Sequence, residues 1–262
     1  VHGFIYFAPE ATDAYREIGL EDRQHYFASR AAAMGPVSAE LVTATFFNFA
    51  PDLVAESLAG AWEAARPDAV QEARMAAGAA VLRRCAAEVD PATVARASEL
   101  AGAVIDGLPF EGKPLAIGNR AVPETDEPWA RLWQRVTVLR EWRGDVHVAA
   151  LVTAPVDAVE ALILHAATEQ VPRAALADTR RWSDDAWQAG VERLVARGLV
   201  EPDESFTDAG RAFREEIEDV TNRACRPMVD AVGEEAAAEL HELLRPVRRG
   251  LLDGGAFAML GR

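Results

Sequence analysis

Apolar residues recur at spacings of three and four along most of this chain, the period of helices that bury one face. Proline, acidic and hydroxyl residues punctuate the pattern. Helix starts are predicted at Pro9-Glu10, Glu21-Asp22, Ser38, Pro51-Asp52, Pro67-Asp68 and Asp90-Pro91. Proline suits a first helical turn, and Asp or Ser side chains cap one. Gly19, Gly35 and Gly107 read as stops. Pro109, Gly112, Pro114, Gly118 and Pro123 then break the rhythm. Residues 108–127 therefore read as an irregular linker or lid between an N-terminal helical domain at 1–107 and a second domain at 128–262. Helical spacing resumes over 129–153, 155–167 and 172–179, and the tail holds one longer helix over 234–245.

The stretch 183–222 carries a more specific pattern. Ser183 is placed to cap a helix whose buried face is Trp187, Val191, Leu194 and Val195, and Gly198 ends it. Leu199-Val200 and Phe206 flank a Pro202-Asp203-Glu204-Ser205 turn, which predicts a short hairpin. Phe213, Ile217 and Val220 then continue a further helix. Helix, hairpin and helix in this order predict a winged helix. The fold class expected is all-α, with a C-terminal winged helix bearing a small β-wing.

Charge complicates that picture. The chain has 262 residues and a formal net charge of −15, which argues against a broadly nucleic-acid-coating or anionic-membrane-binding protein. A DNA reader neutralises phosphates with Lys and Arg. Here the expected recognition helix opens Ser183-Asp184-Asp185, and the turn carries Glu201, Asp203 and Glu204. If DNA is a partner, Arg180, Arg181, Arg193 and Arg197 are the residues to hold it. No apolar run is long enough for a membrane span, and Cys85 and Cys225 read as free thiols of a cytoplasmic protein. No metal-ligand cluster, nucleophile elbow or Gly-rich phosphate loop is legible, so no metal is expected and the cofactor stays unassigned.

Two constellations carry polar chemistry. All three tyrosines, Tyr6, Tyr15 and Tyr26, lie in the first fifty residues with most of the phenylalanines. Tyr26 and Arg30 share a helix face four residues apart. Tyr6, Tyr26 and Arg30 therefore read either as part of a Phe-rich core or as an aromatic-lined ligand pocket. The second is Arg140, Arg143 and His147, at i, i+3 and i+7 on one helix, with Glu141 and Asp145 on an adjoining face. That stripe suits a carboxylate, phosphate or sulfate, or else a salt-bridged interdomain helix.

His-Gly-x-x-Tyr-Phe-Ala-Pro-Glu at 2–10, Tyr-Phe-x-Ser-Arg-Ala-Ala at 26–32, Arg-Gly-Asp-x-His-x-Ala-Ala-Leu at 143–151 and the 183–222 region together resemble an actinobacterial two-domain helix-turn-helix family with a MarR-like winged-helix C-terminal half. Lys113 as the only lysine among 27 basic residues fits a high-GC source. The resemblance implies fold and lineage, with helical tails that build a homodimer, but no catalytic residues. Three functional readings follow. The first is a small-molecule-binding protein on a winged-helix scaffold, an enzyme of specialised metabolism acting on an anionic substrate among its forms. The second is a ligand-responsive DNA-binding regulator, and the third a protein-interaction module.

Overall fold

The computed structural model describes residues 1–256. Helices start where proline and capping side chains place them. Pro9–Glu17, Pro51–Leu58, Pro67–Cys85 and Pro91–Asp106 each begin on the proline, and Ser38 Oγ accepts from Leu41 N at 3.4 Å ahead of Ala39–Phe46. The chain divides into two compact units. The first holds Val1–Val37, Ser57–Asp145 and the described residues from Cys225 on; the second holds Ser38–Glu56 and Val146–Ala224.

In the first unit, Pro67–Cys85 packs against Pro9–Glu17, His25–Ala31 and Glu234–Asp253, the last of which also packs on Pro91–Asp106. Small residues allow these approaches. A Cβ built on Gly250 would lie 2.5 Å from Cys85 O, and one on Gly78 would lie 2.8 Å from the Trp133 indole. Trp133 and Trp142, on the helix Pro128–Thr153, are fully buried here.

The segment 108–127 lies inside this unit, so the chain does not divide there. It contains the helix Pro114–Ala121, whose free N–H groups at Leu115 and Ala116 donate to Asp145 Oδ2 at 3.1 and 2.9 Å. The Trp142 indole donates to Pro109 O at 2.8 Å. Its glycines and prolines read as a connection because the groups that anchor it come from residues about thirty positions away.

The second unit is built on Ala158–Ala166, Arg173–Arg180, Asp184–Ala196 and Asp208–Ala224. Arg181 takes the left-handed conformation, φ 55°, and turns the chain sharply between the second and third of these. Ser183 Oγ caps the third by accepting from Ala186 N at 3.1 Å. Trp187, Val191 and Leu194 are buried with Leu162, Ile163 and Ile217. Gly190 lets this helix close on Ala158–Ala166, since a Cβ there would lie 2.8 Å from Ile163 Cδ1.

The expected β-wing is absent among the described residues: one isolated antiparallel bridge, Val200↔Phe206, stands in its place. The reason is local. Thr207 already caps the next helix, its Oγ1 accepting from Gly210 N at 2.9 Å, so the returning limb ends after Phe206. Pro202 has no N–H to give. Among the described residues the fold is all-α without a sheet. Among the described residues, no single helix is long and apolar enough to cross a membrane.

Candidate functional site

The polar residues of the first unit gather inside its core. Helix Pro67–Cys85 buries Val70, Ala77, Val81 and Leu82, yet Gln71 and Arg74 share that face and are also buried. Helix Pro128–Thr153 likewise brings Glu141, fully buried, among apolar neighbours. Arg30, on His25–Ala31, reaches Glu141 through Nε at 3.3 Å and Nη2 at 3.0 Å. Arg140 Nη1 binds the same carboxylate at 2.6 Å. Burial alone would raise the Glu141 carboxyl, but the charges of Arg30 and then Arg140 outweigh it and hold the group below the usual carboxylate range.

His2 joins this network. Its ring stacks on Trp133 at 5.7 Å between centroids, its Nδ1 lies 2.9 Å from Thr137 Oγ1, and its Nε2 lies 2.9 Å from the Tyr6 hydroxyl. Thr137 already donates to Trp133 O at 2.8 Å, so its oxygen is left to accept. His2 therefore donates from Nδ1, and Nε2 accepts from Tyr6. Burial, followed by the Arg74 charge, pushes the His2 pKa well below the usual imidazole value and keeps the ring neutral.

Tyr6 also lines a cavity of about 330 Å³, together with Ile5, Tyr15, Tyr26, Ser29 and the paired Arg16 and Asp22 among others. The Tyr6 and Tyr26 rings meet at 4.8 Å, and Arg30 Nη1 donates to the Tyr26 hydroxyl at 3.3 Å. Tyr6, Tyr26 and Arg30 are thus brought together. Arg30 is held by Glu141, and Tyr6 and Tyr26 present aromatic faces to the cavity. A phenol hydrogen-bonded to a neutral imidazole is a site where a proton can be passed.

Arg140, Arg143 and His147 fall in different surroundings. Arg140 is engaged by Glu141, and Arg143 is exposed. His147 belongs to the second unit, its Nδ1 3.0 Å from Thr221 Oγ1. Helical spacing gives the face of each residue and says nothing of the intervening Glu141. Arg74 escaped the sequence reading, and His2 entered it only as the first residue of the 2–10 motif. Their available signal was a polar residue at a core position of an apolar stripe.

In the second unit the candidate DNA-binding arginines are spoken for. Arg193 contacts Asp157 Oδ2 at 2.5 Å and Glu160 Oε1 at 2.9 Å, and Arg197 reaches Glu160 Oε2 at 3.4 Å. Arg181 pairs with Glu56 at 2.7 Å, and Arg180 stacks over Phe49 at 4.5 Å from its centroid. The exposed face of Asp184–Ala196 carries Asp184, Asp185 and Glu192. The turn's acids have structural work: Glu204 accepts from Arg173 Nε at 3.0 Å and from the Trp187 indole at 3.2 Å, and Asp203 accepts from Ser205 N at 3.0 Å. A second cavity of about 370 Å³ in this unit is bordered by His147, His165, Arg180 and Arg214 within apolar walls.

No curated protein and no solved structure matches the chain. A family model described as a helix-turn-helix family matches residues 1–258. That match takes in the segments of both units, and the chain belongs to this helix-turn-helix family.

Proposed function

We propose that this protein binds a small molecule in the first unit and keeps the second unit, with its Arg173–Arg180 and Asp184–Ala196 helices, as scaffold. The observation that carries the reading is the tyrosine-lined cavity, whose Tyr6 and Tyr26 are hydrogen-bonded to a buried network of neutral His2 and the Arg30–Glu141 pair. Buried ionic groups are a weak source of net stability, so a network of this kind beside an apolar cavity fits a ligand site better than a packing role. On the other side, a phosphate backbone would have to compete with Asp157 and Glu160 for Arg193 and Arg197, and would face Asp184, Asp185 and Glu192.

A second reading, a ligand-responsive DNA-binding regulator, is favoured by membership of the helix-turn-helix family. Fluorescence anisotropy with DNA fragments from around the gene, across a salt series, separates the two. The scaffold reading expects no sequence-selective binding even at low salt. Tight binding that weakens steeply with salt would make the regulator reading the right one.

A further inference from the structure

Among the described residues, the first unit buries two arginines, Arg30 and Arg74, and only Arg30 is held by a carboxylate. Arg74 is fully buried, its Nη1 lies 3.4 Å from Asn119 Oδ1, and its guanidinium stands 5.0 Å from the centre of the Trp133 ring. Its Nε and Nη2 have no hydrogen-bond partner, and no carboxylate among the described residues pairs with it. Nε and Nη2 form the side of a guanidinium that takes a carboxylate through two parallel bonds. Arg30 uses that same side to hold Glu141, and Arg16 uses it to hold Asp22. A buried charge left in this state costs several kcal/mol, roughly the stability of many small domains.

A second polar atom points the same way. The Tyr15 hydroxyl is buried near the Ser29 hydroxyl and the Arg74 guanidinium but is aligned for a hydrogen bond with neither, and Tyr15 lines the 330 Å³ cavity. Burial pushes that phenol up to about 12, opposed in part by the nearby Arg74 charge and Ser29 hydroxyl, so it remains a donor at any physiological pH. Tyr15 thus belongs to the cavity wall and also lies near Arg74.

We propose that Arg74, with the Tyr15 hydroxyl, anchors the carboxylate of a small aromatic or apolar monocarboxylic acid whose body occupies the tyrosine-lined cavity. This rests on the reading of that cavity as a ligand site and names its ligand class. Charge balance selects a monoanion. Arg30 and the exposed Arg140 already offset Glu141, so Arg74 is the buried cation left over among the described residues, and a dianion there would carry a negative charge with no buried cation to meet it. The cavity size selects a small body, near the lower end of ligand sites at about 300–1,000 Å³. The rings of Tyr6, Tyr15 and Tyr26 select an apolar or aromatic one. The anionic group is assigned to Arg74 and not to Arg140 or Arg143.

Titration calorimetry of the whole chain with benzoate, benzamide and inorganic phosphate tests this. Benzoate is expected to bind, with benzamide at least about tenfold weaker, because the uncharged isostere cannot satisfy the guanidinium. Arg74→Met is expected to weaken benzoate by at least about tenfold, and Arg74→Lys to recover part of it, keeping charge without the fork. Should Arg74→Met fail to fold, the benzoate–benzamide comparison in the unmodified chain decides alone. Equal affinity for the two, unchanged benzoate binding in Arg74→Met, tighter binding of phosphate, or no benzoate binding would each overturn the anchor. Equal affinities lost together in the cavity-filling Ala11→Phe variant would leave the cavity reading standing. Absence of binding by benzoate, benzamide and uncharged toluene would remove both.

Discussion

Glu141 Oε2 accepts from Arg30 Nη2 at 3.0 Å across 111 residues of sequence, and neither side chain is more than about a tenth exposed. Such a pair adds little net stability, since two desolvation costs offset its attraction, but removing one partner leaves the other charge buried. Glu141→Ala is therefore expected to destabilise the protein by about 3–5 kcal/mol in urea unfolding. A loss below about 1 kcal/mol would show that Arg30 finds water or another partner. Because the folded pKa of Glu141 is depressed, its contribution is complete above the unfolded value near 4 and is lost only as pH falls toward the folded one.

Asp145 behaves in the opposite sense. Burial, with the Glu141 charge adding to it, pushes its pKa up to about 6 despite the backbone bonds from Ala116 and Leu115. A raised folded pKa means that stability is fully present below the unfolded value near 4 and declines as pH rises through about 6. Thermal unfolding between pH 4 and 7 should show this decline, and Asp145→Asn should flatten it. An unaltered slope in the variant would assign the titration to another group.

Arg74→Met is expected to leave the melting temperature of the ligand-free protein unchanged or raised. The losses are a cation–π contact with Trp133, about 2 kcal/mol when desolvated, and one long hydrogen bond. The gain is relief of a buried charge worth several kcal/mol. A fall of many degrees would mean that Arg74 stabilises the core as it stands.

Gly210 meets the carbonyl of Leu199 so closely that an added Cβ would lie 1.7 Å from the oxygen. Backbone, not a flexible side chain, is the obstacle. Gly210→Ala is expected to destabilise by more than about 2 kcal/mol, with altered amide exchange at Val200 and Phe206. Near-normal stability would show that the 199–206 turn shifts freely.

Arg193→Ala with Arg197→Ala separates the functional readings. On the scaffold reading the double variant lowers stability, because Glu160 is buried and keeps only the Asp157 backbone N–H once both arginines are gone, and changes DNA affinity not at all. Loss of a measurable, salt-sensitive DNA affinity in the variant would place these arginines on phosphates instead.

Local punctuation made most helix starts legible, because a proline or a capping Ser or Asp acts within one turn of its own position. Ser38, Pro67, Asp90 and Ser183 stand where helices begin. The wing was misread for the same reason inverted: Leu199, Val200 and Phe206 have strand-like character, but the Thr207 cap ends the limb before a ladder forms. Tyr26 and Arg30 were legible as helix neighbours, whereas Glu141, which fixes Arg30, joins them only through the tertiary fold. Arg74 was hidden because arginine in the middle of an Ala-rich helix reads as a solvated face. The stripe of Arg140, Arg143 and His147 has the right helical phase, yet its members fall in different units.

The second unit lies within the sequence of the first, ending at Ala224 before the helix Glu234–Asp253 begins. During vectorial synthesis every residue of the second unit has left the ribosome while the first still lacks the helix that packs on Pro67–Cys85 and Pro91–Asp106. The unit that starts first is completed last, so the half-made core around Arg74 waits longest on the nascent chain, where exposed apolar surface invites chaperones.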